Sequence, residues 1–252
     1  MTDNAETLAE RLLDAALIHV PFDGWSQAAF AAAVTDTGID PALARALYPR
    51  GGIDLALAYH RRGDAEMLAA LAARAGEDMR MRDRVALAVR LRLEGADPEL
   101  VRRGTTLFAL PPYAPEGARA VWNTADAIWN ALGDTSEDGN WYSKRAILSG
   151  VYSTTLLYWL GDTTPGHQAT WAFLDRRIDE VMQFEKVKAK VQKDPVLSRL
   201  FALPLAAMGA IRKPGAGGGG LPGHWPARPA EPPAPTGAGP DRPPVDASSG
   251  RV

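Results

Sequence analysis

From Leu8 to about residue 190, apolar side chains return every third or fourth position, and no convincing two-residue alternation interrupts them. That period belongs to the α-helix and not to the half-buried strand, so the chain is predicted to be all-α. Leu8, Leu12, Leu13, Ala16, Leu17 and Val20 form the first stripe, which Pro21 and Gly24 are expected to end. A second helix is predicted over 25–34, stopped at Asp36-Thr37-Gly38, and a third over 41–47, with Asp40 as N-cap and Pro41 at the first helical position. Further helices are predicted over 53–63, 64–76, 80–93, 98–110, 114–132, 141–160 and from 164 or 165 to about 190. From Pro214 onward Gly, Pro, Ala and Ser dominate, and such a tail cannot bury enough surface to offset its chain entropy. The expected domains are a helix-turn-helix-like module (1–50), a ligand-binding helical bundle (51–190), an amphipathic membrane-associating segment (191–213) and a disordered Gly/Pro-rich tail (214–252).

Three short helices, with a Gly-containing turn before the third and the exit Leu47-Tyr48-Pro49-Arg50-Gly51-Gly52, resemble the N-terminal helix-turn-helix of TetR-type regulators. There the third helix reads the major groove and needs donors for base edges and phosphates. Here it offers Arg45 beside Asp40, and the whole chain carries a formal charge of −2, without the positive field that draws proteins to nucleic acid. The module is read as vestigial and no nucleic acid is expected as a partner. A TetR-type regulator sensing an apolar ligand is the alternative.

Catalytic machinery is not legible. There is no cysteine, and the four histidines, His19, His60, His167 and His224, show no metal-ligand spacing, nor do Glu-x-x-His pairs of the di-iron kind occur. No phosphate loop or nucleophile motif accompanies them. The chain is read as a non-enzyme with no cofactor and no metal. It opens without a secretory or transit signal, and no run reaches the roughly 18 apolar residues of a spanning helix. Membrane contact is therefore expected to be peripheral, from the cytoplasm.

The strongest local signal runs from Trp122 through Asp126, Trp129, Gly133, Asp134, Asp138, Asn140, Trp141 and Tyr142 to Arg145. By themselves, Asp134 and Asp138 suit a turn leading into a helix, and Asn140 suits the cap of a helix opening at Trp141. Trp141 and Tyr142 point about 100 degrees apart on that helix, so one is expected at the surface beside a surface Arg, the composition of an interface anchor. Continuing through Tyr152, Thr154, Thr155, Asp162, Pro165, Trp171, Phe173, Asp175, Arg177 and Ile178, the segment closely resembles the coenzyme Q (ubiquinone) biosynthesis accessory family, the lipid-binding partner of demethoxyubiquinone hydroxylase, in an alphaproteobacterial-type form.

The resemblance implies that Asp138, Asn140, Trp141, Tyr142 and Arg145 dock the hydroxylase. It also implies an isoprenoid quinone precursor or phospholipid bound among the bundle helices. Trp129, Ile147, Leu148, Val151, Leu156, Trp159, Trp171, Leu174 and Ile178 are the apolar candidates to line that site, although core packing alone accounts for most of them. Seven Lys and Arg between residues 185 and 213 face only Glu185 and Asp194. Among them Leu197, Leu200, Phe201, Leu205 and Met208 fall largely at helical spacing, flanked by Arg199, Arg212 and Lys213, the pattern of an interfacial helix; a last core helix or a homodimer contact is the competing reading. The expected role is an accessory protein on the cytoplasmic face of the bacterial inner membrane.

Overall fold

The structure is a computed structural model that describes residues 5–136 and 139–193, with the backbone alone for residue 139 and for 182–193. Among these residues every regular element is a helix: α1 (Ala5–Asp23), α2 (Gln27–Thr37), α3 (Pro41–Leu47), α4 (Gly52–Ala72), α5 (Met81–Glu94), α6 (Pro98–Phe108), α7 (Ala114–Ala131), α8 (Gly139–Gly161), a single 3-10 turn at Pro165–His167, and α9 (Gln168–Lys193). The all-α prediction holds.

Caps define several of the ends. The Asp40 carboxylate accepts from the amides of Ala42 and Leu43 at 2.9 and 3.0 Å with Pro41 in the first turn, and Asp97 does the same for α6 through Glu99 and Leu100. Gly38 closes α2 in the left-handed conformation. The first helix ends as expected before Gly24, which is at positive φ, with Pro21 in its last turn. One expected break does not occur: Gly63 lies inside α4, which fuses the two helices predicted over 53–63 and 64–76. The fusion has a packing cause. A Cβ on Gly63 would stand 2.7 Å from the guanidinium carbon of Arg92, so glycine is what lets α5 lay that group against α4.

Two apolar clusters fill the interior. One joins Leu12, Leu13, Ala16 and Val20 of α1 to Trp25, Phe30, Tyr48, Leu55 and Leu100. The other joins Met67, Leu71, Val89 and Leu93 to Ile128, Leu148, Tyr152, Trp159, Leu174 and Ile178. Helix α4 serves both, with Leu55 in the first and Met67 in the second. The N-terminal helices are stitched down by side chains: Trp25 Nε1 donates to the Leu100 carbonyl at 3.1 Å, the Tyr48 hydroxyl to the Ala9 carbonyl at 3.0 Å, and Arg103 to the Pro21 carbonyl at 2.6 Å. At Gly52 a Cβ would meet the backbone of Trp25 and Ser26 at 2.6 Å, which explains the small residue where α4 begins beneath α2.

Arg45, the one cation of α3, donates to Gln27 Oε1 at 3.2 Å and to the Pro49 carbonyl at 3.3 Å, and its guanidinium carbon sits 4.5 Å from the Phe30 ring centroid. These contacts all lie inside the module. Residues 194–252, which include Leu197, Arg199, Leu200, Phe201, Leu205, Met208, Arg212, Lys213 and the Gly/Pro-rich tail, lie outside the described residues, as does Asp138.

Candidate functional site

The site forms where α7 and α8, antiparallel neighbours, are joined by the turn after Leu132. Arg145 is fully buried there, contrary to its expected place at the surface. Its Nε donates to Asp126, Nη1 to Asp134 at 2.9 Å and to the Trp141 carbonyl at 3.2 Å, and Nη2 to Asn130 Oδ1 at 3.0 Å. The guanidinium carbon lies 4.1 Å from the Trp141 ring centroid. A buried guanidinium must be paired on every side to offset its desolvation, and α7, the turn and α8 each supply a partner.

Asp134 is correspondingly not a dipole-facing cap. Only 3% of its side chain is exposed, and it also accepts from Lys144 Nζ at 2.7 Å and from the Ser136 hydroxyl at 2.8 Å. Burial pushes its carboxyl up, but the hydrogen bonds from Lys144, Arg145 and Ser136 outweigh that and hold it well below the usual carboxylate range. Asn140 is exposed in the first turn of α8, one residue past Gly139, and so does not precede the helix as a cap.

Of the adjacent aromatics, Trp141 turns inward, 7% exposed, and Tyr142 stays half-buried, as their angular separation requires. Their rings meet edge to face at 4.7 Å. Trp122 of α7, half-buried and not among the expected contact residues, completes the group at 6.0 Å from Trp141 and 6.2 Å from Tyr142. The aromatic edge offered to solvent therefore belongs to Trp122 and Tyr142, with Trp141 and Arg145 behind it.

Beside this group opens a cleft of about 590 Å³ between α5, α7, α8 and α9. Val85, Trp129, Ile147, Leu148, Val151, Ile178 and Val181 make its apolar lining; Arg82, Asp134, Ser136, Asn140, Ser143 and Lys144 stand among its polar groups. Trp129 is fixed by its Nε1, which donates to the Lys144 carbonyl at 3.0 Å, while the Lys144 ammonium lies 5.3 Å from its ring centroid. Arg82 pairs with Asp179 of α9 at 2.7 Å and holds α9 along one wall.

Five of the nine apolar candidates, Trp129, Ile147, Leu148, Val151 and Ile178, thus share one cleft. Leu156 lines a separate cavity of about 250 Å³. Trp159, Trp171 and Leu174 belong to the second apolar cluster and border neither space. The lining residues Met81, Arg82 and Val85 are not among the nine apolar candidates. Arg92 is only 4% exposed and pairs with Asp64 at 2.7 Å. The available signal was Asp64 itself, an acid spaced with Leu71 and Met67 on the core side of α4.

Residues 114–185 match the model of the COQ9 family, which covers α7, the turn, α8 and the described side chains of α9. The mitochondrial ubiquinone biosynthesis protein COQ9 of Drosophila melanogaster is 31% identical over 193 residues, 74% of this chain and 59% of that protein. The human protein of the same name is 29% identical over 201 residues, 75% of this chain and 62% of its own length. The chain thus spans about six tenths of the relatives it matches. Among solved structures, a TetR transcriptional regulator from Nitrosomonas europaea ATCC 19718 superposes with a TM-score of 0.57 at 15% identity, over 69% of this chain and 97% of that one, a likeness of fold alone. With the matched segment building the whole of the α7–α8 site on a TetR-like helical frame, the chain is similar to the COQ9 family across that site.

Proposed function

We propose that this protein is a non-enzymatic accessory factor of ubiquinone biosynthesis that shelters an isoprenoid quinone precursor or phospholipid in the α5–α7–α8–α9 cleft and presents it to a demethoxyubiquinone hydroxylase. The observation that carries the reading is the cleft itself: about 590 Å³, apolar within, with Lys144 and Ser136 beside the aromatic group of Trp122 and Tyr142. That volume lies within the range of small-molecule sites. An amphipathic guest would place its chain against Val151 and Ile178 and its polar end beside Lys144. Trp122, Tyr142 and Asn140 are the side chains that face a docking partner, and Arg145 and Asp134 fix their platform. Asp138 and the basic apolar segment from Leu197 to Lys213 are carried as docking and membrane contacts on the family resemblance. Peripheral attachment to the cytoplasmic face of the inner membrane fits a set of described residues in which no helix is long and apolar enough to cross a bilayer. Arg45, already bonded within its module, gives the regulator reading little to work with.

The test is mass spectrometry of organic extracts from purified protein, coupled to a hydroxylase-binding assay. Ile147→Trp fills the cleft and is expected to deplete co-purified lipid several-fold while leaving hydroxylase binding in place. Trp122→Ala with Tyr142→Ala is expected to do the reverse. Undiminished lipid in the first variant removes the cleft from the reading, and undiminished binding in the second removes the aromatic edge.

A further inference from the structure

The exposed residues among the lining of the cleft are Met81, Gly133, Thr135 and Asn140. They belong to the start of α5, the turn after α7 and the first turn of α8, so the mouth lies at that end of the molecule. Helix α9 runs antiparallel to α5, since Arg82 meets Asp179 while the Arg90 guanidinium carbon stands 5.0 Å from the Trp171 ring centroid. Its backbone therefore passes the mouth and continues from Val181 to Lys193, about 18 Å of helix. The chain beyond Lys193 leaves from this same end.

The rim there mixes an apolar side chain with uncommitted cations. Met81 lines the cleft yet is 46% exposed, one turn before the buried Val85 on the same side of α5. Arg84 follows Arg80 by one turn of α5, and Arg74 stands in the link between α4 and α5. Among the described residues neither Arg74 nor Arg84 has an ion-pair partner. The acids of this stretch are Glu77, Asp78 and Asp83, and Asp83 is already bonded to Arg80 and Arg82. Residues 74–84 thus carry four Arg against three acids, and 185–213 carry seven cations against two, in a chain whose formal charge is −2. The other residues together are acidic by eight. Cations gather where the cleft opens, and the acidic excess lies elsewhere.

Exposure alone would select a different end. Phe22 is 84% exposed, with the exposed Ile18 one turn before it. Phe22 follows Pro21, whose carbonyl accepts from Arg103, and the adjacent Arg102 donates to the Leu160 carbonyl in the last turn of α8, the far end of that helix from the mouth. Arg102 and Arg103 are both paired with Glu99. That end offers apolar surface without free cations. A bilayer bearing anionic headgroups holds a peripheral protein by shallow apolar insertion and by attraction of basic residues together, and only the mouth end supplies both.

We propose that the α4–α5 link and the start of α5 form an interaction surface for an anionic bilayer, with Arg74 and Arg84 on the headgroups and Met81 set between them, so that the cleft opens onto lipid. The inference rests on the reading of peripheral membrane attachment and adds to it the face of the body that meets the bilayer.

The chain has no cysteine, so Met81→Cys and Phe22→Cys of the full chain can each carry a single nitrobenzoxadiazole fluorophore. Each is mixed with vesicles of equimolar phosphatidylcholine and phosphatidylglycerol, or of phosphatidylcholine alone, with flotation measured on the same samples and far-UV circular dichroism as the folding control. On the anionic vesicles the probe at Met81→Cys is expected to brighten, shift to the blue and be quenched by lipid carrying a nitroxide near the headgroup. The probe at Phe22→Cys stays as it is in water. Arg74→Gln with Arg84→Gln, which breaks no ion pair among the described residues, is expected to weaken binding to the anionic vesicles about tenfold. Flotation with a silent probe at Met81→Cys, a response at Phe22→Cys in its place, or undiminished binding of the double variant overturns this surface and leaves attachment standing. Absence of flotation removes attachment itself, and the surface with it.

Discussion

Two buried ionic residues, Arg92 and Arg145, set the character of this interior, and neither acts as a surface charge. Each is paired outside its own helix, Arg92 with Asp64 and His60 of α4 and Arg145 with Asp126 and Asn130 of α7 and Asp134 of the turn, so each fixes an arrangement of elements. An alanine at Arg145 would leave the buried Asp134 with only Lys144 and Ser136 as partners, and any loss of docking in that variant would report folding first. His60 makes the same logic measurable through pH. Its folded-state value is depressed by burial and by Arg92, so between that value and about 6.5 the unfolded chain takes up a proton that the folded chain refuses. The His60 contribution is therefore complete above about pH 6.5 and is lost as pH falls toward the depressed value, with a slope of at most about 1.4 kcal/mol per pH unit. Urea unfolding followed from about pH 5 to pH 8 should show stability rising with pH, and His60→Gln should flatten that rise. A rise of equal steepness in the variant would assign it to other groups.

At the scale of elements, α4 makes the most specific prediction. Glycine inside an exposed helix usually costs up to about 1 kcal/mol against alanine, so Gly63→Ala would ordinarily stabilise. Because the new methyl would stand 2.7 Å from the Arg92 guanidinium carbon, the substitution is instead expected to destabilise by about 1–3 kcal/mol, read from the denaturant midpoint. The sequence could not reveal this. It presents a glycine followed by Asp64, a good cap, and local rules make that a helix boundary; only the partner helix 28 residues on overrules them. The caps at Asp40 and Asp97, by contrast, are local interactions and were legible as such. The same division holds at the site. Trp141 and Tyr142 had to diverge by helix geometry alone, whereas the burial of Arg145 depends on Asp126 and Asn130 of a different helix, and no spacing within α8 encodes it. The cleft was partly legible through Ile147, Leu148 and Val151 at helical spacing on α8, while its α5 wall was hidden by an Arg-rich sequence in which Arg92 pairs with Asp64 and Arg82 with Asp179.

The whole described body is knit through α4, whose first half serves the N-terminal cluster and whose second half serves the bundle. A truncation beginning at Gly52 would expose Leu55 and Leu100 together and leave the Leu100 carbonyl without the indole of Trp25. It is expected to accumulate as insoluble or poorly helical protein, checked by sedimentation and circular dichroism; a soluble, fully helical fragment would show the bundle to be self-sufficient. Trp25 also forms part of the wall of the cavity that Leu156 lines. Through Trp25, in the link between α1 and α2, the N-terminal module closes one side of that cavity, so removing the module would open it to water.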